Sequence, residues 1–187
     1  MKISANDIRI GNVLKYKGKL WLVLKLDHVK PGKGGAFQQV EMKEISEGTK
    51  LNERFRSTVT VEKAAIHEKK YTFLYMVGEN LALMDTETYE QIEISKDLLG
   101  EQAAFLQDGM EISVESHDGQ PLIAILPKTI IAEIADAEPV VKGQTAASSN
   151  KPAVLDNGVR VMVPPFVKIG DKVVVNTESR EYVERAK

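Results

Sequence analysis

The sequence predicts a mainly β protein made of three small barrels, and three observations carry that prediction. Short runs rich in Val, Ile, Leu, Tyr and Phe recur along the 187 residues with turn residues between them, and only one stretch has helical character. Charge then divides the chain into three unlike parts. Residues 1–64 carry 13 Lys and Arg against 7 Asp and Glu, residues 65–127 carry 3 against 12, and residues 128–187 carry 9 against 8. Net charges of +6, −9 and +1 therefore lie behind an overall charge of −2. A basic first part beside an acidic second part suggests an elongated molecule that presents one face to a polyanion, because a uniform field would not orient such a partner. Chance clustering on a solvated surface is the alternative.

The first part, 1–64, reads as strands joined by turns. In "VLKYKGKLWLVLKLDHV" the turn is Tyr16-Lys17-Gly18-Lys19, and Trp21, Val23 and, less regularly, Leu24 and Leu26 supply apolar positions. "KPGKGG" interrupts, "AFQQVEM" resumes a strand with Phe37, Val40 and Met42, and "NERFRSTVTVEKA" closes the unit with Arg54 and Arg56 beside Phe55. An SH3-like barrel fits. The second part, 65–127, has hairpin turns at Val77-Gly78-Glu79-Asn80 and His117-Asp118-Gly119-Gln120 and a further turn at Asp85-Thr86-Glu87-Thr88. Its helix candidate is 95–107, "SKDLLGEQAAFLQ", with Ser95 as N-cap and Gly100 weakening the middle. Strands interrupted by one short helix suit a Greek-key barrel of the OB kind. The third part, 128–187, repeats the theme in "TIIAEIAD", "KPAVLDNGVRVMVP" and "DKVVVNTESREYVERA", with turns at 156–158 and 169–171. Between its first two strands, "EPVVKGQTAASSN" reads as a long surface loop.

Composition narrows the function. No apolar run approaches the length of a membrane span, and "MKISANDIRI" lacks the features of a signal peptide, so the expectation is a cytoplasmic protein with no membrane partner. Zero cysteines remove disulfides, thiolate catalysis and cysteine-ligated zinc. His28, His67 and His117 are scattered without metal-ligand spacing, so neither a metal site nor a catalytic residue is expected. Asp85 and Glu87 are explained by turn formation. "GKGGA" looks like a phosphate loop but fails G-x-x-x-x-G-K-[ST] and leads into a strand, so it lacks the helix N-terminus that would hold a phosphate. The expectation is a protein that is not an enzyme.

A binding role has more support. Lys15, Lys17, Lys19, Lys25, Lys30 and Lys33 fall within twenty residues, opposed only by Asp27. In a β-rich domain such a patch suits the phosphates and 2′-hydroxyls of folded RNA. Lysines that merely keep edge strands from pairing would look similar.

The chain as a whole resembles bacterial translation elongation factor P. "KPGKGGAF" stands in a basic N-terminal β unit, an acidic β unit follows, and "KPAVLDNGVRVMVPPFVKIG" fills the family's C-terminal signature at Lys151, Ala153, Gly158, Val161, Val163, Pro164, Val167 and Gly170. "LNERFRST", "TYEQ", "EPVVKG" and "EYVERAK" extend the similarity over essentially the whole chain.

The resemblance implies an L-shaped, monomeric tRNA mimic with an SH3-like (KOW-like) domain at 1–64 and OB-fold domains at 65–127 and 128–187. Such factors bind the ribosome, touching both subunits, beside the peptidyl-tRNA, and relieve stalling at consecutive prolines without performing bond chemistry. The resemblance places Lys30, Pro31, Gly32, Lys33, Gly34 and Gly35 at the tRNA CCA end. It implies that Lys33 receives a β-lysyl-type group from a lysine-modifying enzyme, with no other cofactor. The family's Gly-Asp-Thr loop, near the mRNA at the exit site, corresponds to Gly143, Gln144 and Thr145, where Gln144 removes a charge. Tyr182 and Arg185 match positions close to RNA, although Tyr182 could equally pack on its own barrel. A stand-alone RNA-binding module acting as an RNA chaperone or regulator is the alternative function.

Overall fold

The computed structural model describes residues 1–139 and 149–187. Among the described residues the chain is mainly β and holds three sheets, in keeping with the recurring short apolar runs. Contacts divide it into two compact units, Met1–Glu68 with Glu115–Leu122, and Lys69–Val114 with Ile123–Lys187.

In the first unit, β1 (Lys2–Ser4), β2 (Val13–Tyr16), β3 (Lys19–Val29), β4 (Phe37–Glu44), β5 (Lys50–Arg56) and β6 (Thr60–Lys63) form one antiparallel sheet in the order β1-β6-β2-β3-β4-β5. The expected turn between β2 and β3 is present, with Lys17 and Gly18 both at positive φ, the geometry that matches strand twist in a two-residue hairpin. Ala5, Ile8, Leu14, Trp21, Val23, Val40, Met42, Phe55 and Val61 make the core. The Trp21 indole N–H donates to the Tyr16 carbonyl at 3.0 Å, so the bulkiest side chain is buried without an orphaned donor. Leu24 and Leu26 fit the alternation poorly because the β3–β4 register shifts between Val23 and Lys25. One extra residue there exchanges the inward and outward positions. Phe37 also departs from expectation. Its parity is opposite to that of buried Val40 and Met42, and it lies on the outer face.

The middle sheet has the order β11-β10-β7-β8-β9, from β7 (His67–Val77), β8 (Asn80–Asp85), β9 (Gln91–Ser95), β10 (Glu111–His117) and β11 (Gln120–Ile125). The tip of the β10–β11 hairpin belongs to the first unit, where His117 Nδ1 donates to the Ala65 carbonyl at 2.7 Å. The expected helix over 95–107 is instead two short 3-10 turns, Lys96–Leu98 and Gly100–Phe105. Ser95 caps the first as anticipated, accepting from the Asp97 N–H at 3.2 Å. Gly100, at φ +58, is left-handed and cannot continue a right-handed helix. The segment survives because Phe105 is fully buried in the core.

The third sheet, order β14-β13-β12-β15-β16, comprises β12 (Thr129–Ala137), β13 (Lys151–Leu155), β14 (Arg160–Val163), β15 (Lys172–Asn176) and β16 (Tyr182–Arg185), antiparallel throughout. Its inner face and that of the middle sheet feed one cluster that runs from Tyr71 to Val175. Within the C-terminal signature, Lys151, Ala153, Val161, Val163 and Val167 are all buried. Buried Lys151 donates from Nζ to the Glu138 carbonyl at 2.5 Å. The signature thus encodes packing and chain reversal.

Asp85 closes the β8–β9 turn. Its buried carboxylate accepts from the backbone N–H groups of Glu87 at 2.8 Å and Thr88 at 3.1 Å, with Lys69 Nζ 3.5 Å away. Those backbone bonds, the one from Glu87 first, hold its pKa below the ordinary aspartate value. A depressed folded-state value contributes stability that is present above the ordinary range and is lost as pH falls through the depressed value. Urea titrations taken from neutral pH down through the carboxylate range should show Asp85→Ala less stable than the parent at neutrality, with the gap closing on acidification. A gap independent of pH would refute the ionic contribution. Phe105→Ala should cost about 3–5 kcal/mol in the same assay, the usual loss for a fully buried phenylalanine.

Candidate nucleic-acid interface

The site begins with the length of two strands. β3 and β4 stay paired from Trp21↔Glu44 to Val29↔Phe37, past the core valines Val23 and Val40 and one row beyond Gln38 and its core partner Phe55. At about 3.3 Å per residue, the six steps from Val23 to Val29 carry the chain roughly 20 Å. β5 supports this arm, pairing along β4 from Lys43↔Lys50 to Phe37↔Arg56. The chain reverses through residues 30–36, and Lys30, Pro31, Gly32, Lys33, Gly34 and Gly35 are all exposed. The sequence-predicted loop is therefore one contiguous tip on a β arm.

The glycines at the tip serve different ends. Gly34 sits at φ +117, which L-residues rarely adopt, so the turn itself requires it. Gly32 and Gly35 have no such φ, and a Cβ at either would meet nothing within 4 Å. The fold of this chain does not demand glycine at those two positions. Close approach by another molecule would.

A polar brace underlies the arm. Buried Gln38 donates from Nε2 to Asn6 Oδ1 at 3.1 Å and to His28 Nδ1 at 2.9 Å, joining the outgoing strand, the returning strand and the N-terminal 3-10 turn Ala5–Asp7. The Ser57 N–H donates to the Ala36 carbonyl at 2.9 Å, and Ser4 Oγ donates to the Ser57 carbonyl at 2.8 Å, tying down the end of the loop. His28 thus has a structural role at the base of the loop.

The six lysines of the basic patch divide into two groups. Lys15 lies 3.8 Å from Glu62, Lys17 3.8 Å from Glu53, and Lys19 2.9 Å from Glu47. Lys17 also sits 5.0 Å from the centre of the Tyr16 ring, whose hydroxyl donates to Glu53 at 2.8 Å. Burial, then that bond, raises the pKa of Tyr16. Lys25, Lys30 and Lys33 have no carboxylate partner among the described residues. The uncompensated charge is therefore on the arm and its tip.

Strand register brings together residues that the sequence reading left apart. On the outward face, Asp27, Gln39 and Arg54 form one row and Val29, Phe37 and Arg56 the next. The Arg54 guanidinium lies 5.8 Å from the centre of the Phe37 ring. Phe55, the aromatic that adjoins these arginines in sequence, points inward and packs edge-on against Tyr16 at 5.5 Å. The period-2 alternation of "LNERFR" against "AFQQVEM" carried the signal for this face, but it becomes legible only once the register is known.

The remaining site residues are placed as follows. Gly143, Gln144 and Thr145 lie outside the described residues. Tyr182 packs against the core of the second unit, and burial is the main cause that raises its pKa. Arg185 lies 3.6 Å from Asp171 and 6.0 Å from the centre of the exposed Phe166 ring. Among the described residues no group of three or more acidic or histidine side chains could hold a metal, and no helix is long and apolar enough to cross a membrane.

Comparison with known proteins agrees along the whole chain. The Elongation factor P (EF-P) KOW-like domain matches residues 4–61, the Elongation factor P (EF-P) OB domain residues 66–124, and Elongation factor P, C-terminal, residues 130–185. A relative named elongation factor P from Chelativorans sp. (strain BNC1) is 56% identical over 186 residues, covering 100% of both chains. Another from Ruegeria sp. (strain TM1040) is 58% identical over 185 residues, covering 99% of each. Among solved structures, eukaryotic translation initiation factor 5A from Methanococcus jannaschii is similar, with a TM-score of 0.54 and 25% identity over 67% of this chain and 94% of that one. The KOW-like and OB folds expected from the strand pattern are thus supported by family matches that together run from residue 4 to residue 185, and the chain belongs to the elongation factor P family.

Proposed function

We propose that this chain binds the ribosome beside the peptidyl-tRNA and stimulates peptide-bond formation at consecutive prolines, with Lys33 as the group that reaches the tRNA CCA end. The observation that carries the reading is the tip itself: an exposed lysine without a carboxylate partner among the described residues, at the end of a braced β arm, with Gly32 before it and Gly35 two residues after it, neither of which the fold requires to be glycine. An arm of this reach suits entry into a narrow RNA-lined cleft, and the glycines remove the Cβ atoms that would hold a backbone away from RNA. Family membership supplies the translational setting.

Proline is a constrained reactant, so holding peptidyl-tRNA in a reactive geometry can raise the rate by orientation alone. Lys33 contributes a cation on a long flexible stem for phosphate or ribose oxygens, and a β-lysyl-type group attached by a modifying enzyme would lengthen that reach. The Gln38 brace limits how much ordering the loop must undergo on binding, at about 1–2 kcal/mol for each backbone residue fixed. Tyr182, Arg185 and residues 143–145 would make secondary RNA contacts, those of 143–145 with mRNA at the exit site.

Translation of a Pro-Pro-Pro reporter tests the reading. Lys33→Ala should abolish most of the stimulation while leaving the thermal midpoint unchanged, and undiminished stimulation would defeat the proposal. Salt-sensitive binding to free RNA with no effect on the reporter would favour a stand-alone RNA-binding module instead. Gly32→Ala and Gly35→Ala separate clearance from stability: each should leave the unfolding free energy within about 0.5 kcal/mol of the parent, yet lower reporter stimulation. Intact-mass analysis of protein from its native host, followed by peptide mapping to Lys33, tests the modification, and an unshifted mass removes it.

A further inference from the structure

The outward face of the β3–β5 arm is built unlike an ordinary solvated surface. Lys25, Lys43, Lys50, Arg54 and Arg56 project from it against Asp27 and Glu41, and Glu41 is already engaged by Lys50 at 3.7 Å. Lys25, Arg54 and Arg56 have no carboxylate partner among the described residues. Protection of a sheet edge does not account for the face. β5 is an edge strand and β3 pairs with β2 only as far as Leu22, but β4 is paired on both sides from Phe37 to Lys43, so Phe37, Gln39 and Lys43 guard no edge. Phe37 is half-buried on this face, with exposed Val29 beside it and the Arg54 guanidinium over its ring at 5.8 Å from the centre.

An aromatic ring and a guanidinium side by side on a sheet suit stacking of an unpaired base, because every base offers a π face to both. Gln39, in the adjoining row, adds an amide that can donate and accept at a base edge. Cations spread along the strands match a phosphate backbone. A duplex would satisfy the cations but leave the Phe37 ring unused, since paired bases are stacked on one another.

We propose that the outward face of β3–β5 binds a single-stranded RNA segment, with Phe37 and Arg54 holding one base, Gln39 contacting its edge, and Arg56, Lys25 and Lys43 taking the adjoining phosphates. The surface extends the interface beyond the lysine tip. It rests on the reading of the arm as RNA-facing, but it does not need Lys33 or its modification.

Fluorescence anisotropy of the purified full-length chain with a short unpaired oligoribonucleotide, and with a fully paired hairpin of the same base composition, tests the proposal. The unpaired RNA should bind more tightly than the hairpin. Phe37→Leu and Arg54→Ala should each weaken it by roughly tenfold, the usual scale for losing one stacked base. Arg56→Ala should weaken both RNAs and lower the salt slope by about one, as expected for one lost phosphate contact. Lys17→Ala, on the turn and paired with Glu53, should change neither. Equal affinity for paired and unpaired RNA, or full affinity in both Phe37→Leu and Arg54→Ala, overturns the proposal, as does the absence of RNA binding. Arg54 is exposed, so loss of fold does not confound that variant, and a thermal midpoint for each protein checks the rest. Because the assay contains no ribosome, its outcome is separate from that of the Pro-Pro-Pro reporter. Binding through this face with an unresponsive reporter would defeat the ribosomal reading and keep this one.

Discussion

The register shift between Val23 and Lys25 is the constraint on which the arm depends. A strand alternates faces with period two, so a single extra residue exchanges what is buried and what is offered for the remainder of its length. Before the shift, β3 places Trp21 and Val23 in the core; after it, Lys25, Asp27 and Val29 turn outward and His28 turns toward Gln38. Without the shift, Lys25 and Asp27 would continue the inward series of Trp21 and Val23, and burying those charges would require partners this core lacks. The same shift lets a long hairpin leave the core with a polar brace beneath it, and so determines where the lysine tip is held.

The charge pattern acquires a different meaning once side chains are located. A run of six lysines reads as one basic patch, but Lys15, Lys17 and Lys19 each face a glutamate brought from a distant strand or turn, while Lys25, Lys30 and Lys33 do not. Exposed ion pairs of this kind contribute little to stability, typically below about 1 kcal/mol. Their larger effect is on the field: they cancel positive potential at the base of the hairpin and leave it concentrated toward the tip. An anionic partner would be steered to the arm rather than spread across the unit.

The two halves of the family resemblance differ in physical character. The C-terminal signature consists largely of residues the barrel must bury, with Lys151 anchored to the Glu138 carbonyl among them, so it identifies a fold. The N-terminal "KPGKGGA" segment contains Lys33, Gly32 and Gly35, which have no evident duty to the fold, and so it points to a partner.

The sequence by itself determined the strand-and-turn pattern, the absence of cysteine chemistry, the turns at 16–19, 77–80 and 117–120, and the loop that carries Lys33. These are local properties: period-two alternation, turn residues and composition act over a few positions. Only the tertiary structure decided that the 95–107 stretch forms two 3-10 turns around Gly100 and Phe105, because burial of one aromatic outweighs the segment's weak helical preference. It also decided that Phe37 faces outward beside Arg54 while Phe55 faces inward, and that three of the six lysines are neutralised. Those outcomes depend on register and on carboxylates up to 47 positions away in sequence, and local periodicity does not specify either.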